Sequence, residues 1–223
     1  MRLVVITPVG PGHEEYARDC IDSVRIEKDR APKEIWQSVE HKIIDDTEGK
    51  LGRSKARNIG METPADWYFF LDADDRMAKG CLELCDYKSP ATFGAIAKIG
   101  GEFCYNVFPC GWREVALFGA YGTLSMGFFY RGPLRFNEAL NAGEDYEFYM
   151  RLPSFTKVAD PLCEIGYRRN SATGPRGYKR INWIDVCNEQ IRTAVTKDTA
   201  KYDLDGAAVL AKRKYPKGQS SAA

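Results

Sequence analysis

Apolar residues in this chain fall into short blocks separated by polar turns, and the spacing inside each block assigns it to strand or helix. Residues 3–7 form a continuous apolar run closed by Pro8 and Gly10, the pattern of a parallel strand buried on both faces. Over residues 14–24, Tyr16, Ala17, Cys20, Ile21 and Val24 return at helical spacing, which predicts a helix with one apolar face. A second strand is predicted at about 40–44, ending in Asp45-Asp46, and residues 49–60 read as a glycine-led turn into a helix. Residues 67–71 (WYFFL) predict a third buried strand that runs straight into Asp72-Ala73-Asp74-Asp75. Strand, helix, strand, helix, strand is the α/β pattern with a largely parallel sheet.

Beyond this the pattern loosens. Residues 89–131 are rich in glycine and aromatics in short apolar pieces, which predicts mixed or antiparallel strands and loops. A helix is predicted at 145–152, opening on an acidic pair, and two more at about 181–196 and 204–214, with a frayed tail from Pro216. No internal repeat and no low-complexity segment interrupts the chain. In sheets of this class ligands bind beyond the carboxyl ends of the strands. Three strand ends deliver Thr7-Pro8, Asp45-Asp46 and Asp72–Asp75 to one rim, and the site is expected there.

Composition narrows the class. The 223 residues are 44% hydrophobic and 28% charged, as in ordinary soluble globular proteins. No apolar run reaches the roughly 18 residues needed to cross a bilayer. The opening MRLVVITPVGPG has one basic residue and breaks early at Pro8, so it reads as strand and loop, not as a signal peptide, and the cytoplasm is the expected location. Seven cysteines contain no CxxC, and His13 and His41 extend none of them into a zinc pattern. Reduced, structural thiols are expected, with Cys81 and Cys85 on one helix face. Residues 1–156 carry 19 Lys+Arg against 24 Asp+Glu, whereas 157–223 carry 13 against 7. The basic C-terminal part suits contact with an anion, or is a solvated surface.

The chemistry concentrates in the acidic turn. Asp72, Asp74 and Asp75 are three carboxylates in four residues, and they repel one another unless a cation or hydrogen-bond donors neutralise them. Such a turn suits Mg²⁺ or Mn²⁺, which bridges protein oxygens to phosphate oxygens. The plain alternative is an aspartate capping the next helix. Likewise Glu144, Asp145 and Glu147 either carry chemistry or simply favour a helix N-terminus.

The run LGRSKARNIGMETPADWYFFLDADD resembles the core of glycosyltransferase family 2 and its GT-A relatives, with Gly52, Ala56, Arg57, Asn58 and Asp72–Asp74 at the matching positions. VVITPVGPG is similar to the family's first strand and nucleotide loop, Asp45-Asp46 to its acidic pair after the second strand, and FFYRGPLRFNEALNAGEDYEFYMRL to its acceptor segment. The resemblance spans about residues 2–170. It implies an α/β GT-A catalytic domain over 1–180, with a donor half at about 1–100 and an acceptor half at about 101–180. Residues 181–223 would be a helical extension packed on it.

The implied activity is metal-dependent transfer of a sugar from a UDP- or GDP-sugar to a hydroxyl, with inversion by single displacement. Asp74 would bind Mn²⁺ or Mg²⁺, and Asp72 the ribose or the metal. Asp45 or Asp46 would meet the base, Thr7 and Pro8 would line the nucleotide pocket, and Arg57 would reach the base or the phosphates. Asp145 would be the general base, with Glu144 orienting the acceptor or tuning its neighbour.

One departure stands out. Many members of the family it resembles supply a late histidine to the metal, and this chain has none after His41. Asn170 or water would then complete the shell, or Arg168 and Arg169 would hold the diphosphate directly. The expected acceptor is a hydroxyl on a carbohydrate, a lipid or a small molecule; alternatively it is a hydroxylated base in DNA, met by the basic C-terminal part. A nucleotidyltransferase and a non-catalytic nucleotide-sugar-binding module are the remaining readings.

Overall fold

A computed structural model of the chain describes residues 1–99, 103–104, 126–140 and 144–166. The elements in order are β1 (Arg2–Val9), α1 (Glu14–Arg30), β2 (Ser38–Asp45), α2 (Arg53–Gly60), β3 (Trp67–Phe70), β4 (Arg76–Met77), a 3-10 turn at Cys81–Glu83, β5 (Ala91–Lys98), β6 (Phe103–Cys104), β7 (Phe128–Tyr130), α3 (Glu144–Met150) and β8 (Thr156–Ile165). One mixed sheet runs β2-β1-β3-β7-β5-β8-β4, with β6 hydrogen-bonded to β5. β1 is parallel to both β2 and β3, β5 is parallel to β8, and the links through β7 and β4 are antiparallel. Five of the seven strands on that path therefore point one way, as the α/β pattern predicts. The predicted helices at 181–196 and 204–214, the extension at 181–223, and Arg168, Arg169 and Asn170 lie outside the described residues.

The continuous apolar runs have a simple cause. Side chains alternate across a strand, so Leu3, Val5, Trp67 and Phe69 join one core with Cys20 and Val24 of α1. Val4, Ile6, Tyr68 and Phe70 join a second core on the other face with Phe93, Phe128, Phe136 and Phe148. Burial on both faces is what removes polar positions from β1 and β3. In the second core Phe136 stacks on Phe148 at 4.4 Å and meets Phe70 edge-on at 5.0 Å. Burying each such ring contributes roughly 1.5–3 kcal/mol, so this layer fixes α3 and the segment before it to β3.

Besides the two-residue β4, which has no predicted counterpart, the structure departs from the sequence reading at three places. α1 continues to Arg30, six residues past the expected end, because its next inward position is Glu27. That buried carboxylate accepts the Gly80 N–H at 2.7 Å and pairs with Arg30 at 3.2 Å, so the helical period continues through a polar residue. β8 has no counterpart in the reading, since Pro161 and its charged neighbours resemble a loop. Its pairing with β5 shifts register around Ala95 and Pro161, and such a bulge is where proline is tolerated. Cys81 and Cys85 do not share a helix: Cys81 opens the 3-10 turn and Cys85 lies past it. Both are buried free thiols, as are Cys20 and Cys163.

Candidate active site

The three strand ends expected on one rim are there, and each acidic residue has a distinct environment. At the end of β2, Asp45 is exposed and accepts the Thr47 N–H at 2.9 Å. That bond holds its carboxyl below the usual range. Asp46 is buried and accepts two backbone N–H groups, from Leu51 at 2.7 Å and Gly52 at 2.9 Å. It fastens the turn into α2, where Gly52 takes φ +79°, a conformation open to glycine at little cost. Of the acidic pair, then, Asp45 faces solvent and Asp46 builds the loop.

On β1 the expected nucleotide-pocket residues separate as well. Pro8 is half-buried, while Thr7 is fully buried. The Thr7 hydroxyl contacts His41 Nε2 at 2.9 Å and Cys20 Sγ at 3.7 Å, so it is turned into the protein.

The turn after β3 alternates. Asp72 and Asp74 are partly exposed, whereas Ala73 and Asp75 are buried. The Asp75 N–H closes the turn on the Asp72 carbonyl at 3.0 Å. The Asp75 carboxylate accepts the Gly166 N–H at 2.9 Å, tying the end of β8 to the turn. Burial, then Asp72 and Asp74, push the Asp75 carboxyl well above the usual range. Burial and Asp72 push Asp74 up too, against the opposing pull of His13 and Arg53.

α2 carries the positive side of the site. Arg57 is 2% exposed, and its Nη2 donates to Asp72 Oδ1 at 2.7 Å while Nη1 donates to Glu144 Oε1 at 2.9 Å. Its guanidinium lies over the Phe136 ring at 5.3 Å. The expectation that Arg57 reaches the base or phosphates thus meets a side chain that is enclosed and doubly paired. Glu144 opens α3 and is also buried. Burial raises its carboxyl, but Arg57 and then Arg53 outweigh this and hold it below the usual range. Asp145 follows, half-buried, on the first turn of α3. Next to Arg57, Asn58 grips the Phe136 backbone at both ends, donating to its carbonyl at 2.9 Å and accepting its N–H at 2.8 Å, and donates to Glu138 at 2.8 Å.

Two neighbours of the acidic turn were not singled out from the sequence. His13 precedes α1, is buried, and has no hydrogen-bond partner at Nε2. Arg53 lies 4.0 Å from Glu144. For Arg53 a signal existed, its place four residues before Arg57 on one helix; for His13 there was none. Among the described residues no group of three or more His, Cys, Asp or Glu is arranged to hold a metal. The pair Asp72 and Asp74 nevertheless suits Mg²⁺ or Mn²⁺, which is commonly held by one or two carboxylates together with substrate phosphates. Their mutual repulsion is what such a cation would relieve.

No family model matches the chain, and no curated protein does. Among solved structures it is similar to S. aureus TarS, with 17% identity and a TM-score of 0.62 over 94% of this chain and 41% of that one. S. aureus TarS 1-349 in complex with UDP-GlcNAc matches with 17% identity and a TM-score of 0.64, over 94% of this chain and 69% of that one. The same fragment in complex with UDP matches with 16% identity and a TM-score of 0.55, over 92% and 76%. The chain therefore spans less than half the length of the first of these proteins. At such identities the likeness speaks for the fold, and the chain has the GT-A fold of TarS.

Proposed function

We propose that this chain is a divalent-metal-dependent glycosyltransferase that moves a sugar from a nucleoside-diphosphate sugar to an acceptor hydroxyl, with inversion at the anomeric carbon. One observation carries the reading. The carboxylate turn after β3 and the acidic start of α3 meet at a single buried arginine, so a donor-side aspartate and the residue beside Asp145 share one partner. That the chain shares its fold with a protein crystallised with UDP-GlcNAc and with UDP supports a UDP-sugar as the donor class.

In this reading Asp45, exposed at the rim, meets the base, and Pro8 packs beside it. Asp72 and Asp74 hold Mn²⁺ or Mg²⁺. When bound there, the cation stabilises the charge that develops on the departing diphosphate. Gly166 is fixed to Asp75. Arg168, Arg169 and Asn170, which follow it in the sequence, are proposed to meet the diphosphate and the metal in place of the absent histidine.

Asp145 takes the proton of the acceptor hydroxyl as its oxygen bonds to the anomeric carbon and the bond from that carbon to the diphosphate oxygen breaks. A single displacement needs one base and no covalent intermediate. The test is Asp145→Asn, with transfer from UDP-GlcNAc and calorimetric binding of the same donor in Mn²⁺ measured side by side. Transfer is expected to fall by about 10²- to 10⁴-fold while donor binding persists. Turnover that survives the change removes Asp145 as the base.

A further inference from the structure

Arg57 is buried between two carboxylates. Its two terminal nitrogens are divided between two carboxylates, Asp72 Oδ1 at 2.7 Å and Glu144 Oε1 at 2.9 Å. Those carboxylates are 72 positions apart in the chain. One begins the acidic turn after β3, and the other begins α3, directly ahead of Asp145. The guanidinium is 2% exposed and covered by Phe136, whose backbone is held at both ends by the next residue of α2, Asn58.

We infer that Arg57 is a positioning residue that couples the donor site to the acceptor site, holding Asp72 and Glu144 on one rigid fork so that the orientation of the donor-side carboxylate and the placement of Asp145 are set together. The identities of the two sites rest on the proposed function; the bridge itself does not.

Three physical points support it. The guanidinium is planar and its donors are fixed relative to one another, so moving one carboxylate displaces the other, which a flexible ammonium does not enforce. Arg57 and Glu144 are both buried, so water does not readily replace a lost partner there, and an unpaired buried charge is costly enough to keep the guanidinium paired, with Asp72 as its partly exposed second partner. Each bond uses one oxygen of its carboxylate, so Asp72 can serve Arg57 and a ligand at the same time. A ligand drawing charge from Asp72 weakens its hold on Arg57 and leaves the guanidinium more strongly attracted to Glu144. Occupancy of the donor site is then felt one residue from Asp145, and the coupling is reciprocal.

A double-mutant cycle tests this. Asp72→Asn, Glu144→Gln and the double variant are compared by thermal unfolding without ligand, once with Arg57 present and once on an R57K background. The two substitutions are expected to be non-additive with Arg57, which bonds to both carboxylates, and closer to additive on R57K, because a flexible ammonium does not hold them on one fork. Additivity with Arg57 present overturns the inference.

A second measurement keeps the test open should R57K fail to fold. Glu144→Gln is expected to slow transfer by about 10- to 100-fold, the usual effect of losing a supporting partner, and to change calorimetric donor affinity by a smaller factor, relayed through Arg57 and Asp72. Loss of donor affinity in step with transfer would place this group on the donor and overturn the positioning role. A wild-type chain that binds no nucleotide sugar would sink the proposed function, whereas the ligand-free cycle would still decide the bridge.

Discussion

Gly166 shows how closely a single residue is constrained here. A Cβ built on it would stand 1.9 Å from the Asp74 carbonyl oxygen, and the obstacle is backbone, which cannot rotate away. Its N–H is meanwhile bound to Asp75. Gly166→Ala is therefore expected to push β8 off the acidic turn, costing about 1–3 kcal/mol of stability and weakening the proposed metal-dependent donor binding. Asp75→Asn makes the contrast. An amide oxygen still accepts from Gly166, while a charge crowded by Asp72 and Asp74 is removed. Melting temperature should hold or rise in Asp75→Asn and fall in Gly166→Ala. If the glycine variant melts with wild type, the turn and β8 are not locked together.

At the scale of elements, the β1–β2 pair carries a pH dependence of its own. His41 faces Thr7 across the two strands, and burial, then Lys28, lower its pKa from 6.5 to about 4. The folded state thus favours the neutral ring, and the unfolded chain binds more protons between those values. Stability from this group is fully present above pH 6.5 and declines as pH falls towards 4. With allowance for solvent at a partly buried ring, the loss is on the order of 1–3 kcal/mol. Thermal unfolding from pH 7 to pH 5 should show this slope in wild type and a flatter profile in His41→Asn, which retains a polar partner for Thr7. Equal slopes would remove His41 as the source.

The same elements show what a sequence discloses. β1 and β3 were legible because both faces are buried and the apolar run is unbroken. The end of α1 was not, since Glu27 is buried through two partners, one of them 53 residues away. β8 was hidden by Pro161, which its bulged register accommodates. Within the candidate site, Asp72, Asp74, Asp145 and the Ala56-Arg57-Asn58 run were legible as a motif. The task of Arg57 was not, because its partner Glu144 lies 87 residues away and a motif does not say which way a side chain turns. Ala56, by contrast, is fully buried where α2 meets the sheet, which gives that position a packing reason of its own.

At the scale of the whole molecule, the site is assembled from parts that tertiary packing alone brings together. The Asp46 loop, α2, the acidic turn, α3 and the end of β8 are joined by hydrogen bonds spanning up to 91 residues of sequence. A ligand that engages Asp72 and Asp74 therefore acts on much of the fold at once, and its binding energy appears as global stability. At a hundred times Kd, a ligand specific for the native state adds about 2.7 kcal/mol. For a chain of this size that raises Tm by roughly 5–10 °C. UDP-GlcNAc with Mn²⁺ should give such a rise, and chelation should abolish it if the cation joins the diphosphate to the turn. Asp74→Asn should abolish it as well, without lowering the ligand-free Tm, because that substitution relieves repulsion from Asp72. A shift that persists in Asp74→Asn, or in the presence of chelator, would move the donor away from this turn and take the metal with it.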